Sequence, residues 1–114
     1  MATKGSVPDA GDLIWLTFDP QLGREQAGRR PALVLSPESY NRKTGLAIVC
    51  PITSRLKGYP FEVQLPSGLP ITGAVLTDHL KSLDWRERRA ERASRVPAQV
   101  MREVLDRLAP LLGF

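Results

Sequence analysis

Apolar residues fall in short runs over the first three quarters of the chain and change to a helical spacing near its end. The run DLIWLTFD is apolar on both faces of an extended chain, which is typical of a short strand inside a barrel or sandwich. The run PALVLS predicts a second strand that Pro31 opens and Pro37 stops. In all, strands are predicted over residues 12–19, 31–36, 46–51 and 61–65 and from residue 73 towards residue 83, with a turn of helix or a tight loop at 38–43.

The last segment predicts one amphipathic helix. Pro97 lies near its first turn and Gly113 at its end, and Pro110 is expected to terminate or kink its last turn. The apolar positions at helical spacing are Val100, Met101, Val104, Leu105, Leu108 and Leu112.

The segment 85–95 (WRERRAERASR) is ambiguous. Its intrinsic propensity favours a helix, but its apolar content is too low to define a buried face. Five arginines against Glu87 and Glu91 are also compatible with nothing more than a solvated surface.

The spacing of the runs indicates the fold class. Strands that recur at intervals of about ten residues, joined by Gly-, Pro- and Ser-rich connections, favour a small antiparallel barrel over βαβ units. We therefore expect a mainly β (α+β) fold with a C-terminal amphipathic helix. The 114 residues are enough for one domain, with a core over about residues 7–112.

Charge is distributed unevenly along the chain. The net charge is +4, and residues 24–57 carry seven basic side chains against Glu25 and Glu38. This excess favours a polyanionic partner, either nucleic acid or an acidic peptide. Inside it, residues 24–31 (REQAGRRP) place three guanidiniums and a carboxylate in a glycine-bearing turn, which is either an anion cradle or a solvated connection.

Other features exclude several classes of function. The single Cys50 allows no internal disulfide, and with one His79 there is no ligand cluster for zinc, so no metal or cofactor is expected. No apolar run approaches the ~20 residues of a membrane helix, and residues 1–9 lack the apolar region of a secretory signal. A cytoplasmic location without membrane contact is therefore expected.

The motifs resemble the MazF/PemK-type toxins of bacterial toxin-antitoxin systems. The resemblance covers about residues 7–112, and the ordered set is specific although each motif alone is weak. The matching stretches are GDLIW at 11–15, DP at 19–20, EQAG-x-RP at 25–31, VLSP at 34–37, N-x-x-TG at 41–45, PITS at 51–54, KGYPF at 57–61, D-x-x-x-S at 78–82 and the closing helix at 97–112.

The resemblance implies several properties that the pattern of residues does not. It implies an SH3-like barrel with a C-terminal helix, a homodimer, and cleavage of single-stranded RNA at short sequence motifs without a metal ion. It implies a partner, a MazE-like antitoxin whose acidic C-terminal tail covers the basic surface. It also implies a strand within residues 85–95, and we follow it there because tertiary context often overrides propensity.

Metal-free RNA cleavage commonly proceeds by attack of the 2′-OH on the adjacent phosphate. The reaction needs a proton acceptor, a proton donor for the leaving oxygen, and positive charge on the phosphorane. Arg30 corresponds to the catalytic arginine of the family, and its fork matches a phosphate. Thr53 corresponds to the catalytic threonine, although alone it would be taken for a polar strand end. Glu25 is the candidate general base, with a surface ion pair as the simpler alternative.

Other residues have less specific assignments. Asp78 matches an acidic position of the family. The chain departs from the family at two positions: the PemK branch has a catalytic arginine where this chain has Leu76, and some relatives have a histidine in the loop at Arg24. Asp78, His79 and Ser54 are possible catalytic or substrate-binding residues, His79 because histidine titrates near neutral pH. RNA-binding candidates are Arg24, Arg29, Arg55, Lys57, Lys81 and Arg86.

Some alternatives stay open. A noncatalytic RNA-binding protein or a gyrase-binding toxin of the CcdB type could use the same fold, and the departures at Leu76 and Arg24 allow an inactive relative. Cys50 is expected to be an inert core residue. Trp15 and Trp85 are expected in the core or a dimer interface, although one of them could stack on an unpaired base.

Overall fold

A computed structural model describes residues 6–17 and 28–114 of the chain. Its elements are seven strands, two helices and a 3-10 turn at Thr77–His79. The strands are β1 (Asp12–Thr17), β2 (Arg29–Val34), β3 (Leu46–Thr53), β4 (Glu62–Gln64), β5 (Ala74–Leu76), β6 (Lys81–Asp84) and β7 (Glu91–Arg95); the helices are α1 (Glu38–Thr44) and α2 (Ala98–Leu112).

All strand pairs are antiparallel, in the order β4-β5-β3-β2-β1-β7. The longest strand, β3, pairs with β6 at its start and with β5 at its end, while β2 lies along its other side. This sharing of β3 curls the sheet, and it confirms the predicted mainly β fold with a C-terminal helix.

The central strands are buried on both faces, as the apolar pattern of the first strand predicts. Leu13 faces the cluster that α2 covers, whereas Ile14 faces a second cluster built around Trp85. Helix α2 contributes its buried residues Val100, Val104 and Leu108 to the first cluster. The alternation of side chains along a strand therefore divides one sheet between two apolar layers.

Asn41 joins several segments beside the second cluster. Its side chain is fully buried, and its amide donates to the carbonyls of Pro8 and Ser36 at 2.8 and 3.0 Å. Its own carbonyl accepts a hydrogen bond from Trp85 Nε1 at 2.9 Å. These bonds satisfy groups that burial would otherwise penalise, so they fix α1 against the N-terminal segment and the β6–β7 turn.

The segment 85–95 contains β7, so its helical propensity predicts the wrong structure and the family resemblance the right one. The charges of this segment are paired with the sheet. Asp12 on β1 is 3% exposed and accepts from Arg95 at 2.9 Å, with Arg92 Nε at 3.3 Å. These pairs hold the strand in place where apolar residues are too few, so the segment is more than a solvated surface.

One other expectation is wrong. The predicted fifth strand does not run on from residue 73 towards residue 83, because the 3-10 turn separates β5 from β6. Pro110, expected to terminate or kink the last turn, lies inside α2, which ends two residues later at Leu112; Gly113 follows in the left-handed conformation with a φ of 85°.

In the part of the chain that the structure describes, no helix is long and apolar enough to cross a membrane.

Candidate active site

A groove of about 970 Å³ opens between the start of β2 and the end of β3. Strands β2 and β3 pair from Val34 and Val49 as far as Ala32 and Pro51. Beyond that pair β3 turns to β5, with Thr53 opposite Ala74. The groove therefore lies where two strands of the sheet separate.

Pro31 helps to explain why β2 and β3 separate there. In β2 the N–H of Leu35 bonds to the carbonyl of Ile48 on β3, so Pro31, four positions earlier, has its nitrogen on the β3 side. Because proline has no N–H to donate, the β2–β3 ladder loses a bond at this position. Pro51 lies on β3 between the end of the β6 pairing and the start of the β5 pairing, and its nitrogen faces that side, away from β2. Strand β2 begins at Arg29, however, and ends at Val34, so Pro31 does not open the strand as expected.

Arg30 is an exposed residue of β2 at the edge of this groove. Its guanidinium makes no hydrogen bond or ion pair with any residue that the structure describes. Five N–H donors are thus available to a ligand.

Arg29, next in the chain, has a different environment. Its side chain is 26% exposed, and its guanidinium donates to the carbonyl of Arg89 at 2.8 Å and lies 3.4 Å from Glu91. Consecutive residues of a strand point to opposite faces, so Arg29 holds the β6–β7 turn while Arg30 is left for a ligand. Part of Arg29 lines the groove, but the guanidinium charge of Arg29 is already paired with Glu91.

Thr53 is the last residue of β3 and is half-buried in the groove wall. Its hydroxyl oxygen accepts a hydrogen bond from the N–H of Arg55 at 3.1 Å. The hydroxyl hydrogen remains available to donate, because a hydroxyl can accept and donate at once.

Gly73 lies against the end of β3 and fixes its position. A Cβ at residue 73 would lie 2.1 Å from the carbonyl oxygen of Thr53, and the φ of Gly73 is +125°. Only glycine allows such close approach in this backbone conformation.

The groove brings together most of the remaining predicted residues. Ser54, Arg55, His79 and Lys81 line it, and among the described lining residues there is no carboxylate. This charge distribution suits an anionic ligand. Asp78 is not a lining residue; its carboxylate lies 3.9 Å from His79 Nε2. The predicted Glu25 and Arg24 lie outside the described residues.

Lys57 and Arg86 lie away from the groove. Lys57 is placed over the ring of Tyr59, and its backbone N–H donates to the carboxylate of Glu62 at 3.1 Å. Arg86 stacks over Trp85, 4.8 Å from the ring centroid. Any contact of these two residues with RNA would be at a distance from the groove.

Several groove residues were not predicted as site residues: the loop before β5 contributes Pro70, Ile71 and Thr72. Strand β1 contributes Trp15, one of the two tryptophans for which base stacking was an alternative. A signal for the loop was present in its turn-forming sequence PSGLPITG, which ends at the glycine that contacts Thr53. In the described ranges, no group of three or more His, Cys, Asp or Glu side chains could hold a metal ion.

Cys50 lies behind the groove, and burial, with a smaller effect of Asp78, raises the pKa of its thiol from 9.0 to about 12. We expect iodoacetamide at pH 8.5 to alkylate the native protein about 10³-fold more slowly than the unfolded chain, since the thiolate is the nucleophile. Mass spectrometry of alkylated protein measures the rate; rapid modification of folded protein would contradict the buried, protonated thiol.

The same shift in the pKa of Cys50 affects stability. Between pH 9 and pH 12 the unfolded thiol ionises and the native one does not, so this group lowers the free energy of unfolding as pH rises.

Comparison with known proteins identifies the family. The family profile described as "PemK-like, MazF-like toxin of type II toxin-antitoxin system" matches residues 9–112. The chain belongs to this family. Among its relatives, the endoribonuclease toxin MazF of Escherichia coli K12 is 49% identical over 107 residues, which cover 94% of this chain and 96% of that protein. The Escherichia coli endoribonuclease PemK is 42% identical, with 98% and 87% covered.

Solved structures of MazF proteins have the same fold. MazF from Deinococcus radiodurans is 62% identical and superimposes with a TM-score of 0.86, covering 95% of this chain and 98% of the other. A MazE-MazF structure from the same organism is 57% identical, also with a TM-score of 0.86, covering 95% and 97%. The predicted family, the barrel fold and the class of endoribonuclease toxin are confirmed.

Proposed function

We propose that this toxin cleaves single-stranded RNA at short sequence motifs, without a metal ion, and thereby inhibits translation and growth. A ribose 2′-OH attacks the adjacent phosphate and displaces the 5′-oxygen of the next nucleotide, which gives a 2′,3′-cyclic phosphate and a 5′-OH. The observation that carries the proposal is an Arg30 guanidinium with no partner among the described residues, in a cationic groove whose other wall ends at Thr53.

Arg30 binds the phosphate that reacts. The guanidinium fork donates two parallel hydrogen bonds to phosphate oxygens, and its charge stabilises the phosphorane as negative charge grows. Because Arg30 has no ion pair to break within the described residues, it can bind without first giving up another partner.

Thr53 orients the same phosphate from the opposite wall. Its hydroxyl donates to a phosphate oxygen while it keeps the bond from Arg55 N–H. That bond limits the rotation of the hydroxyl, and Gly73 fixes the backbone on which it stands. Ser54 and Arg55 follow directly and extend the donor surface along the groove.

Two proton transfers complete the reaction. Glu25 is the proposed acceptor for the 2′ proton, since it is the carboxylate nearest in sequence to Arg30. His79, which lines the groove, is a proposed donor to the leaving oxygen, with Asp78 orienting its ring. Lys81 adds positive charge on the same side of the groove.

The proposed protein partner is a MazE-like antitoxin with an acidic tail. Solved MazE-MazF structures of similar chains support an antitoxin partner. An acidic peptide would occupy the cationic groove and exclude RNA. A homodimer in the cytoplasm is proposed as well; Leu105 and Leu112 extend the buried stripe of α2 into solvent, with 50% and 55% of each residue exposed, and offer an apolar contact surface.

Incubation of the purified protein with a long RNA in EDTA tests the proposal. Discrete cuts are expected, and the downstream fragments should accept a 5′ phosphate from polynucleotide kinase without prior dephosphorylation. A 2′-O-methyl group at the cut nucleotide should prevent cleavage. RNA that is bound but intact would contradict catalysis, and inhibition of DNA gyrase with intact RNA would favour the CcdB-type alternative.

A further inference from the structure

The two tryptophans of the chain have different environments. Trp85 is 3% exposed, and its Nε1 donates to the carbonyl of Asn41 at 2.9 Å. Trp15 is only partly buried and lines the groove. Its Nε1 has no acceptor among the described residues. Trp85 is therefore a core residue, whereas Trp15 presents an indole to the groove whose N–H has no partner in the described ranges.

The position of Trp15 relates it to the reacting phosphate. In the pairing of β1 with β2, Trp15 lies opposite Pro31, the residue that follows Arg30. Paired Cα atoms of antiparallel strands are about 5 Å apart, so Trp15 and Arg30 are close along the sheet. Their side chains leave opposite faces of the sheet at its end, and both line the groove. The groove thus has an apolar wall next to its cationic wall.

A nucleotide has the same two parts, a charged phosphate and a flat apolar base. Two aromatic rings line the groove among the described residues, the imidazole of His79 and the larger, apolar indole of Trp15; Ile52, Ile71 and Leu76 complete the apolar wall. An aromatic ring half-buried on one side and open on the other is the surface on which an unpaired base stacks.

We propose that Trp15 is the platform on which the base beside the scissile phosphate stacks. This inference rests on the proposed RNA cleavage and adds to it a residue that positions the substrate. Stacking on the indole fixes the base, and the base in turn sets the ribose and phosphate against Arg30 and Thr53. The indole N–H is then available to an acceptor on the nucleotide.

Abasic substrates test the contact. After the cut site in a long RNA has been mapped, a short RNA around it is made with each base near the cut removed in turn. We expect Trp15→Ala to lower kcat/KM for the intact RNA about 10-fold, as stacking of one base predicts. At one position beside the cut, removing the base should lower the wild-type rate by a similar factor and have no further effect on Trp15→Ala.

The variants Trp15→Phe and Tyr40→Ala are the matched comparisons. Trp15→Phe keeps a ring and should recover most of the rate. Tyr40→Ala removes an exposed ring of α1 outside the groove and should cleave like the wild type. If Trp15→Ala lowers kcat/KM by the same factor on intact and on abasic RNA, Trp15 has a purely structural role and the inference is overturned. The inference is also overturned if the wild-type protein is a dimer and this substitution dissociates it.

Fluorescence separates this inference from the proposed reaction. An RNA with 2′-O-methyl at the cut nucleotide should quench the wild-type protein on binding, and the quenching should vanish in Trp15→Phe, in which Trp85 alone emits. Quenching by RNA that the wild type never cuts would support the platform and contradict catalysis. Cleavage by the wild type with no quenching would support catalysis and contradict the platform.

Discussion

Replacing Arg30 with alanine will lower kcat for RNA cleavage on the order of 10³-fold, the upper part of the range for loss of one preorganised donor to an anionic transition state. The loss falls mainly on kcat because the guanidinium interacts most strongly with the phosphorane, where the charge is largest. Arg30→Lys keeps the charge but loses the fork, so it should recover only part of the rate. Single-turnover cleavage of the mapped RNA measures these rates.

The stability of the Arg30→Ala variant should not change. Arg30 is exposed, and its guanidinium has no hydrogen bond or ion pair with the described residues, so removal breaks nothing that holds the native state. Arg102→Ala is the charge-matched control, since it removes an exposed arginine from α2 far from the groove. Thermal unfolding and cleavage are compared for both. Full activity in Arg30→Ala, or an equal loss in Arg102→Ala, would show that the assignment of Arg30 is wrong.

The contrast between Arg29 and Arg30 shows what the sequence could not predict. The resemblance assigned Arg30 to catalysis and Arg29 to RNA binding, but the run AGRRP by itself does not show that Arg29 is paired within the protein. Strand β2 begins at Arg29 and so includes both residues, which therefore point to opposite faces of the sheet. The contact between Arg29 and Glu91 depends on the register of β2 with β1 and on the position of β7. Such a contact depends on residues more than 60 positions away.

The strands themselves were more accessible to prediction. Five of the seven were found from local patterns, because each is a compact apolar run or, for β4, an alternating run, and is bounded by turn residues. Strand β7 was predicted only through the family, because its stability comes from ion pairs with Asp12 and Arg29 and not from apolar residues of its own. The division of residues 73–83 by a 3-10 turn also has no marker in the local pattern.

The candidate site was partly predictable from residue chemistry. A cationic half of the chain indicated an anionic ligand, but the choice of Arg30 and Thr53 came from the resemblance. The groove between them could have been inferred in part from Pro31, since it removes a donor from the β2–β3 ladder that would otherwise continue. What required the structure was the register, which places Pro31 at the end of the β2–β3 pair where β3 turns to β5.

Replacing Gly73 with alanine will destabilise the protein by about 3 kcal/mol or more and remove most of the cleavage activity, because two separate costs act at this residue. The positive φ of +125° disfavours any side chain, and the new Cβ would meet the carbonyl oxygen of Thr53 at 2.1 Å. The contact is with backbone, so relief requires the end of β3 to move. Movement of Thr53 away from the reacting phosphate should lower kcat even where the variant is still folded.

Gly68→Ala is the matched control, because it separates the two costs. Gly68 lies in the same loop with φ of +95°, but a Cβ there meets nothing within 4 Å. It should cost about 1 kcal/mol through backbone conformation alone and leave kcat unchanged. Urea unfolding measures the stabilities, and cleavage is measured well below the midpoint of each variant. If the two alanine variants lose equal stability and both keep full kcat, the close approach of Gly73 does not position Thr53. If only Gly73→Ala loses kcat, the site depends on this contact between two backbone segments.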